Sequence, residues 1–171
     1  MAYKEIVTKA VIGKGKKKYK NSYQVTVENT PSTILGCWII NHNFEAQESN
    51  DKVLIKLAST IEKALRDKDV VARYGGEEFI VYLSKSTAND ALVVAERLRK
   101  AISEVTVLSD SGEEIHFTVS IGIASSAASK DINSLVKMAD DALYQAKESG
   151  RNRCVVYSTD LPAESQEQKE E

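Results

Sequence analysis

The residues of this chain best suited to chemistry are Arg73-Tyr74-Gly75-Gly76-Glu77-Glu78-Phe79. Two adjacent glycines remove side chains where the backbone has to turn, and they let a ligand approach the main chain closely. Two consecutive carboxylates follow. They are expected just inside a strand, where successive side chains leave on opposite faces, so Glu77 and Glu78 have different tasks. One can face Mg²⁺, a hard cation that takes oxygen ligands, while the other serves as a base or an electrostatic partner. An ordinary glycine hairpin with exposed acids uses the same residues, and the motif by itself does not separate the two readings.

The elements that must position this motif follow from hydrophobic spacing. Residues 69–74 (DVVARY) and 77–83 (EEFIVYL) are strand-like runs on either side of the glycines, which makes a hairpin. Before them, 51–65 place Val53, Leu54, Leu57, Ile61 and Leu65 near helical spacing. After them, Thr87 opens a helix over 88–103, with Asp90 completing a capping box. Residues 115–124 (IHFTVSIGIA) are expected as one buried strand, 131–149 as an amphipathic helix with Gly150 at its C-terminal cap, and 154–158 as a last strand. The first fifty residues look β-rich: 6–13 and 22–28 are strand-like, and 33–40 (TILGCWII) is a continuous apolar run of strand length. The alternation of helix and strand argues for an α/β (α+β) fold, a mixed sheet flanked by helices.

Composition narrows the function classes. A hydrophobic fraction of 42%, a charged fraction of 28% and a net charge of −2 describe a globular domain with no overall pull toward a nucleic-acid polymer or a membrane surface. No apolar run approaches the length of a membrane span, and the N-terminus lacks the apolar stretch of a signal peptide. The basic run 13–20, with five lysines and one tyrosine, suits a solvated loop or a lysine-blunted edge strand, with a phosphate or nucleic-acid patch as the alternative. Cys37 and Cys154 each sit in an apolar run without metal-ligand spacing, as buried free thiols in a reducing cytoplasm would. The polar tail, 159–171, has little to bury.

Several motifs in one order extend the pattern: Arg66-Asp67-Lys68-Asp69, then RYGGEEF, then TVSIGIA, then ADDALYQAKESGRNR. Over residues 51–157 the chain resembles the GGDEF family of diguanylate cyclases in its GGEEF variant. The resemblance implies that two GTP molecules are condensed into cyclic di-GMP by a homodimer, with Mg²⁺ or Mn²⁺ as cofactor. It implies that Glu78 ligates the metal and that Glu77 activates the attacking hydroxyl. Gly75 and Gly76 would lie against the phosphates, Lys147 and Arg151 would hold the terminal phosphates, and Asp51 would accept hydrogen bonds from guanine. Lys147 and Arg151 are four residues apart at a helix end, which would place both on one face; a solvated helix terminus has the same residues. For Asp51 the alternative is an ordinary acid near a helix N-terminus. Arg66, Asp69 and Arg97 match a product-inhibition site for cyclic di-GMP, and an exposed helix-end salt bridge is the plainer account of the Arg66/Asp69 pair.

The resemblance breaks N-terminal of Asp51. The family opens with a strand ending in Asp-x-Asp-x-x-Phe-Lys, which supplies a metal ligand, followed by an Asn that reads guanine. Here Ile40-Asn41-His42-Asn43-Phe44 stands in that region, with amides in place of acids. Residues 1–50, with PSTILGCWIINH as the most specific piece, instead resemble the N-terminal part of a spore-coat morphogenetic protein, a self-associating scaffold. The expected organisation is a coat-like segment over 1–50, an incomplete GGDEF-like domain over 51–158 and a disordered tail. In it, TILGCWII replaces the missing first strand and activity is strongly reduced or nil. A cyclic di-GMP-binding module without catalysis and a coat-assembly fragment are the alternatives.

Overall fold

The computed structural model describes the backbone of residues 5–6, 23–24, 33–40 and 47–158, with side chains from Asp51 to Ser158. The rest of the strand-like runs 6–13 and 22–28, the basic stretch, Asn41 to Phe44 and the tail lie outside the described residues. Within these limits, β1 (Glu5–Ile6) pairs antiparallel with β2 (Tyr23–Gln24).

The main sheet has five strands in the order β4-β5-β3-β8-β9. Its middle is β3 (Thr33–Ile40), the run TILGCWII. That strand pairs antiparallel on one side with β5 (Glu78–Leu83) and on the other with β8 (Thr118–Ser125). The expectation that this run supplies the first strand of the domain is met, and met at the most constrained place in the sheet. β4 (Val70–Arg73) forms the glycine hairpin with β5, and β9 (Cys154–Val156) lies parallel to β8 at the far edge.

Helices cover both faces. The side-chain alternation of β5 shows this directly: Phe79, Val81 and Leu83 join one core cluster, while Ile80 and Tyr82 pack against the other. The first cluster receives the apolar stripes of α1 (Gln47–Ala64) and α2 (Ala88–Ser103), including Leu57, Ile61, Leu98 and Ile102, all essentially without exposure. The second receives α3 (Ile132–Glu148) through Ile132, Leu135 and Ala139. Burying a side chain of this size stabilises the fold by about 1.5–3 kcal/mol.

Local signals account for the helix ends. Thr87 caps α2, accepting from the Asp90 N–H, and the Asp90 carboxylate accepts from the Thr87 N–H in return, so the capping box forms. At the end of α3, Gly150 has φ +114°. Its N–H donates to Lys147 O, and the Arg151 N–H donates to Ala146 O, the paired bonds of a Schellman cap.

One glycine is needed for a close approach rather than a turn. A Cβ on Gly122, in the middle of β8, would stand 2.0 Å from Ala139 O and 2.4 Å from Leu143 N. The backbone of α3 therefore lies directly on β8, and β8-α3-β9 forms a parallel βαβ crossover around that contact.

Two expectations are corrected. The run 115–124 is not one strand. Glu114–His116 (β7) pairs with Thr106–Leu108 (β6) in a separate two-stranded sheet, and β8 begins after Phe117. The turn of that hairpin contains Gly112 at φ +85°. In addition, β5 starts at Glu78, so Glu77 lies in the turn, and strand alternation does not set its direction.

Candidate nucleotide site

The glycine turn is held from one side by Arg73. Its Nε donates to Gly75 O (3.2 Å) and Gly76 O (3.0 Å), and one Nη donates to Gly76 O (2.6 Å). Tyr74 N and Gly75 N both donate to Glu78 O, closing the turn. A trans peptide points its N–H opposite to its C=O. With the two glycine carbonyls drawn to Arg73, the N–H groups of Gly76 and Glu77 point away from it, and neither donates to another described residue. Two neighbouring outward N–H groups form a concavity for an anion. Arg73 was assigned no role from sequence, and its neighbour pattern carries no signal of one: an arginine ending a strand is common.

Glu78 leaves the sheet on the α3 face, the face of Ile80 and Tyr82. Its carboxylate folds back over the first glycine, where a Cβ on Gly75 would come within 2.8 Å of Oε2. In the strand register Glu78 stands opposite Trp38, and Trp38 opposite Ser120 on β8. The loop entering β9 meets the same row, because Asn152 N donates to Ser120 Oγ (3.1 Å). That loop follows the C-terminal end of α3. The glycine turn, Glu78 and the end of α3 therefore gather at one end and on one face of the sheet, three strand spacings or about 14 Å across.

Lys147 lies in the last turn of α3, half-buried. Arg151 lies past the cap at φ +60°, exposed. The helix ends before it, so helical spacing does not align the two, and a left-handed turn does the placing instead. The Arg151 guanidinium makes no ion pair or hydrogen bond with another described residue. Asp51 sits exposed in the second turn of α1, which begins just after the same end of β3 but packs on the opposite face from Glu78.

Arg66, Asp69 and Arg97 gather at the other end of the hairpin. The Asp69 carboxylate does not pair with the Arg66 side chain. It accepts from the backbone N–H of Arg66 (3.1 Å) and of Ser84 (3.2 Å), bracing the entry to β4. Arg97 reaches from α2 and donates to Ala64 O (2.8 Å), the last carbonyl of α1. The Asp90 carboxyl is held below its ordinary value of 3.8 by hydrogen bonds from the Thr87 backbone and hydroxyl, and its charge faces Arg66. A groove of about 620 Å³ runs along α2 beside Arg97, lined in part by Leu92, Val93 and Lys100.

Residues 40–153 match the family model described as "Diguanylate cyclase, GGDEF domain". The chain belongs to the GGDEF family. A second family model, "Outer spore coat protein E (CotE)", matches residues 2–62, so the two matched ranges overlap within β3 and α1. Diguanylate cyclase A of Treponema denticola is 43% identical over 115 residues, 67% of this chain and 31% of that protein. Diguanylate cyclase DgcM of Escherichia coli is 45% identical over 103 residues, 60% of this chain and 24% of that protein. The chain thus spans under a third of the length of these relatives. Among solved structures, the active GGEEF domain of a diguanylate cyclase from Vibrio cholerae superposes with a TM-score of 0.67 at 30% identity, covering 75% of this chain and 84% of that one. The GGDEF domain of DgcB from Caulobacter crescentus, in complex with c-di-GMP, gives 0.70 at 28% identity, covering 75% and 78%.

The GGDEF family implies a divalent metal, and the donors present test that implication. No group of three or more His, Cys, Asp or Glu side chains among the described residues is placed to hold a metal ion by itself. One carboxylate, Glu78, lies folded into the space a Gly75 side chain would fill. Mg²⁺ is commonly bound through one or two carboxylates with the remaining ligands from water and substrate phosphates. The residues fit an ion that arrives on a triphosphate.

Proposed function

We propose that the turn end of the sheet is a GTP site, and that two copies of this chain facing each other condense two GTP molecules into cyclic di-GMP. The observation that carries this reading is the convergence just described: two outward N–H groups, the Glu78 carboxylate and the end of α3 on one face. The N–H groups of Gly76 and Glu77 bind phosphate oxygens, and Lys147 and Arg151 hold the terminal phosphates. Glu77, exposed in the turn, takes the proton as the 3′-hydroxyl of one GTP attacks the α-phosphorus of the other; the bond to the β-phosphate oxygen breaks and pyrophosphate leaves. Mg²⁺ or Mn²⁺ bound through Glu78 supplies charge neutralisation at the transferring phosphoryl group. The second attack closes the ring.

Turnover is slow or absent in this chain while nucleotide binding persists. Amides at Asn41 and Asn43 occupy the region where the family carries acids, and a neutral amide is a poorer ligand for a hard cation. Purified protein incubated with GTP and Mg²⁺, with products separated by chromatography, tests the activity. Calorimetry with a non-cleavable GTP analogue tests the binding. Binding in the presence of Mg²⁺, together with loss of whatever turnover exists in Glu78→Ala, supports the reading. Absence of analogue binding to the unsubstituted chain overturns it.

A second reading, retention of cyclic di-GMP without catalysis, is favoured by the cluster at the opposite end. There Arg66 is exposed, and its guanidinium makes no hydrogen bond to a described residue. Calorimetric binding of cyclic di-GMP that disappears in Arg66→Ala selects it.

A further inference from the structure

Three successive residues after α3 have positive φ: Gly150 (+114°), Arg151 (+60°) and Asn152 (+46°). Glycine adopts this region freely and asparagine tolerates it, but an arginine rarely does. A non-glycine residue stays there only when its surroundings hold it. Here they do, from both sides. Before Arg151, its own N–H is fixed to Ala146 O. After it, Asn152 is held between two other elements. Its N–H donates to Ser120 Oγ, a side chain with 0% exposure in β8. Its Oδ1 accepts from Arg99 Nη1 of α2 at 2.9 Å. Arg99 is itself immobilised by Glu96, through Nε and Nη2 both at 3.0 Å. Arg153 Nε closes the turn on Arg151 O (3.2 Å), and Arg153 O accepts from Ile121 N (2.9 Å).

We infer that Asn152, clamped between Ser120 and Arg99, is a positioning residue that turns Arg151 off the axis of α3 and presents it to the phosphates. The inference rests on the reading of the turn end as a GTP site. Its content is that α2, which contributes no group to that site, sets phosphate affinity through one side-chain hydrogen bond. A left-handed turn that served only to connect α3 to β9 would need no arginine at its centre and no tie to a third element.

The test is calorimetry on the full chain with Mg²⁺, comparing a non-cleavable GTP analogue with GMP, which lacks the outer phosphates. Arg151→Ala should weaken the analogue by about tenfold or more, the size of a charge-assisted contact, and leave GMP nearly unchanged. Asn152→Ala should reproduce that selective loss with Arg151 still present. Added to Arg151→Ala, it should cost less than about a further twofold, because coupled residues are not additive. Asn152→Gly, which keeps the left-handed backbone and removes only the bond to Arg99, should fall between. Arg99→Gln gives the same readout without touching the loop, should Asn152→Ala not fold. Equal weakening of analogue and GMP in Asn152→Ala, or a lower melting temperature with both affinities intact, overturns the positioning role. An Arg151→Ala variant with an unchanged analogue-to-GMP ratio overturns the phosphate reading beneath it.

Discussion

At the base of the β4–β5 hairpin, Asp69 accepts from the backbone of both Arg66 and Ser84, and Arg97 is bound to the end of α1. At the turn, roughly 14 Å away along the four residues of β4, Gly76 and Glu77 keep their N–H groups free of any described partner. The two ends carry similar residue types, arginines and acids next to glycine or a helix end. They differ in their backbone groups: at the base the N–H groups of Arg66 and Ser84 are bound to Asp69, while at the turn two neighbouring N–H groups have no described partner and are the donors that the proposed GTP site uses. The Arg73 guanidinium, bound to the Gly75 and Gly76 carbonyls, fixes the turn from behind, and the N–H groups of Gly76 and Glu77 on the other side have no described partner.

The sharpest way to break this contrast is to disturb the scaffold common to both ends. Gly122→Ala places a methyl group against the backbone of α3, which no rotamer change relieves. Overpacking of a close contact costs about 1–3 kcal/mol, and a backbone clash lies at or above the top of that range. Urea denaturation should show the loss, and both ends should lose their ligands with it. Next in size is Asp69→Ala, which leaves two backbone donors without their acceptor. A stability loss of about 1–3 kcal/mol is expected, with affinity for the GTP analogue unchanged once the protein is folded. Gly75→Ala should do the reverse. The clash is with the far end of the Glu78 side chain, which can swing aside, so stability should change by under about 0.5 kcal/mol. The displaced carboxylate should weaken Mg²⁺-dependent analogue binding several-fold, read by calorimetry with and without the ion.

The smallest effect concerns the capping box. Hydrogen bonding from Thr87 lowers the folded pKa of Asp90, so its stabilising contribution is complete above the unfolded value near 3.8 and fades as the pH falls through the folded value. Asp90→Asn should therefore melt slightly below the unsubstituted protein at neutral pH, and the gap should close in acid below that point. A gap that stays constant with pH would show that the charge of Asp90 contributes nothing.

Short-range features of the fold were legible in the sequence. The capping box at Thr87, the glycine bend, the cap at Gly150 and the apolar run 33–40 each lie within a few residues, and each formed where its spacing pointed. What escaped depends on distant partners. Nothing near Arg73 says that its guanidinium will face inward to two carbonyls, and nothing near Arg97 names Ala64 as its acceptor. The 106–116 hairpin was missed because its strands are three residues each, too short for alternation to register. One inference at the end of α3 failed for a related reason. The lysine-arginine spacing suits a shared helical face, but α3 ends at Glu148, so Arg151 stands on a left-handed bend tied to β8 and α2.

The position of β3 has a consequence for how the chain can be taken apart. The strand lies before almost all of the GGDEF match, yet it is bonded on both edges and holds the hairpin and the βαβ unit in one sheet. Cutting the polypeptide where its two resemblances meet would leave two fragments, neither with a complete hydrogen-bond ladder. Thr33–Ile40, the described part of the coat-like stretch that enters the main sheet, is therefore an internal strand of the domain rather than an appendage to it.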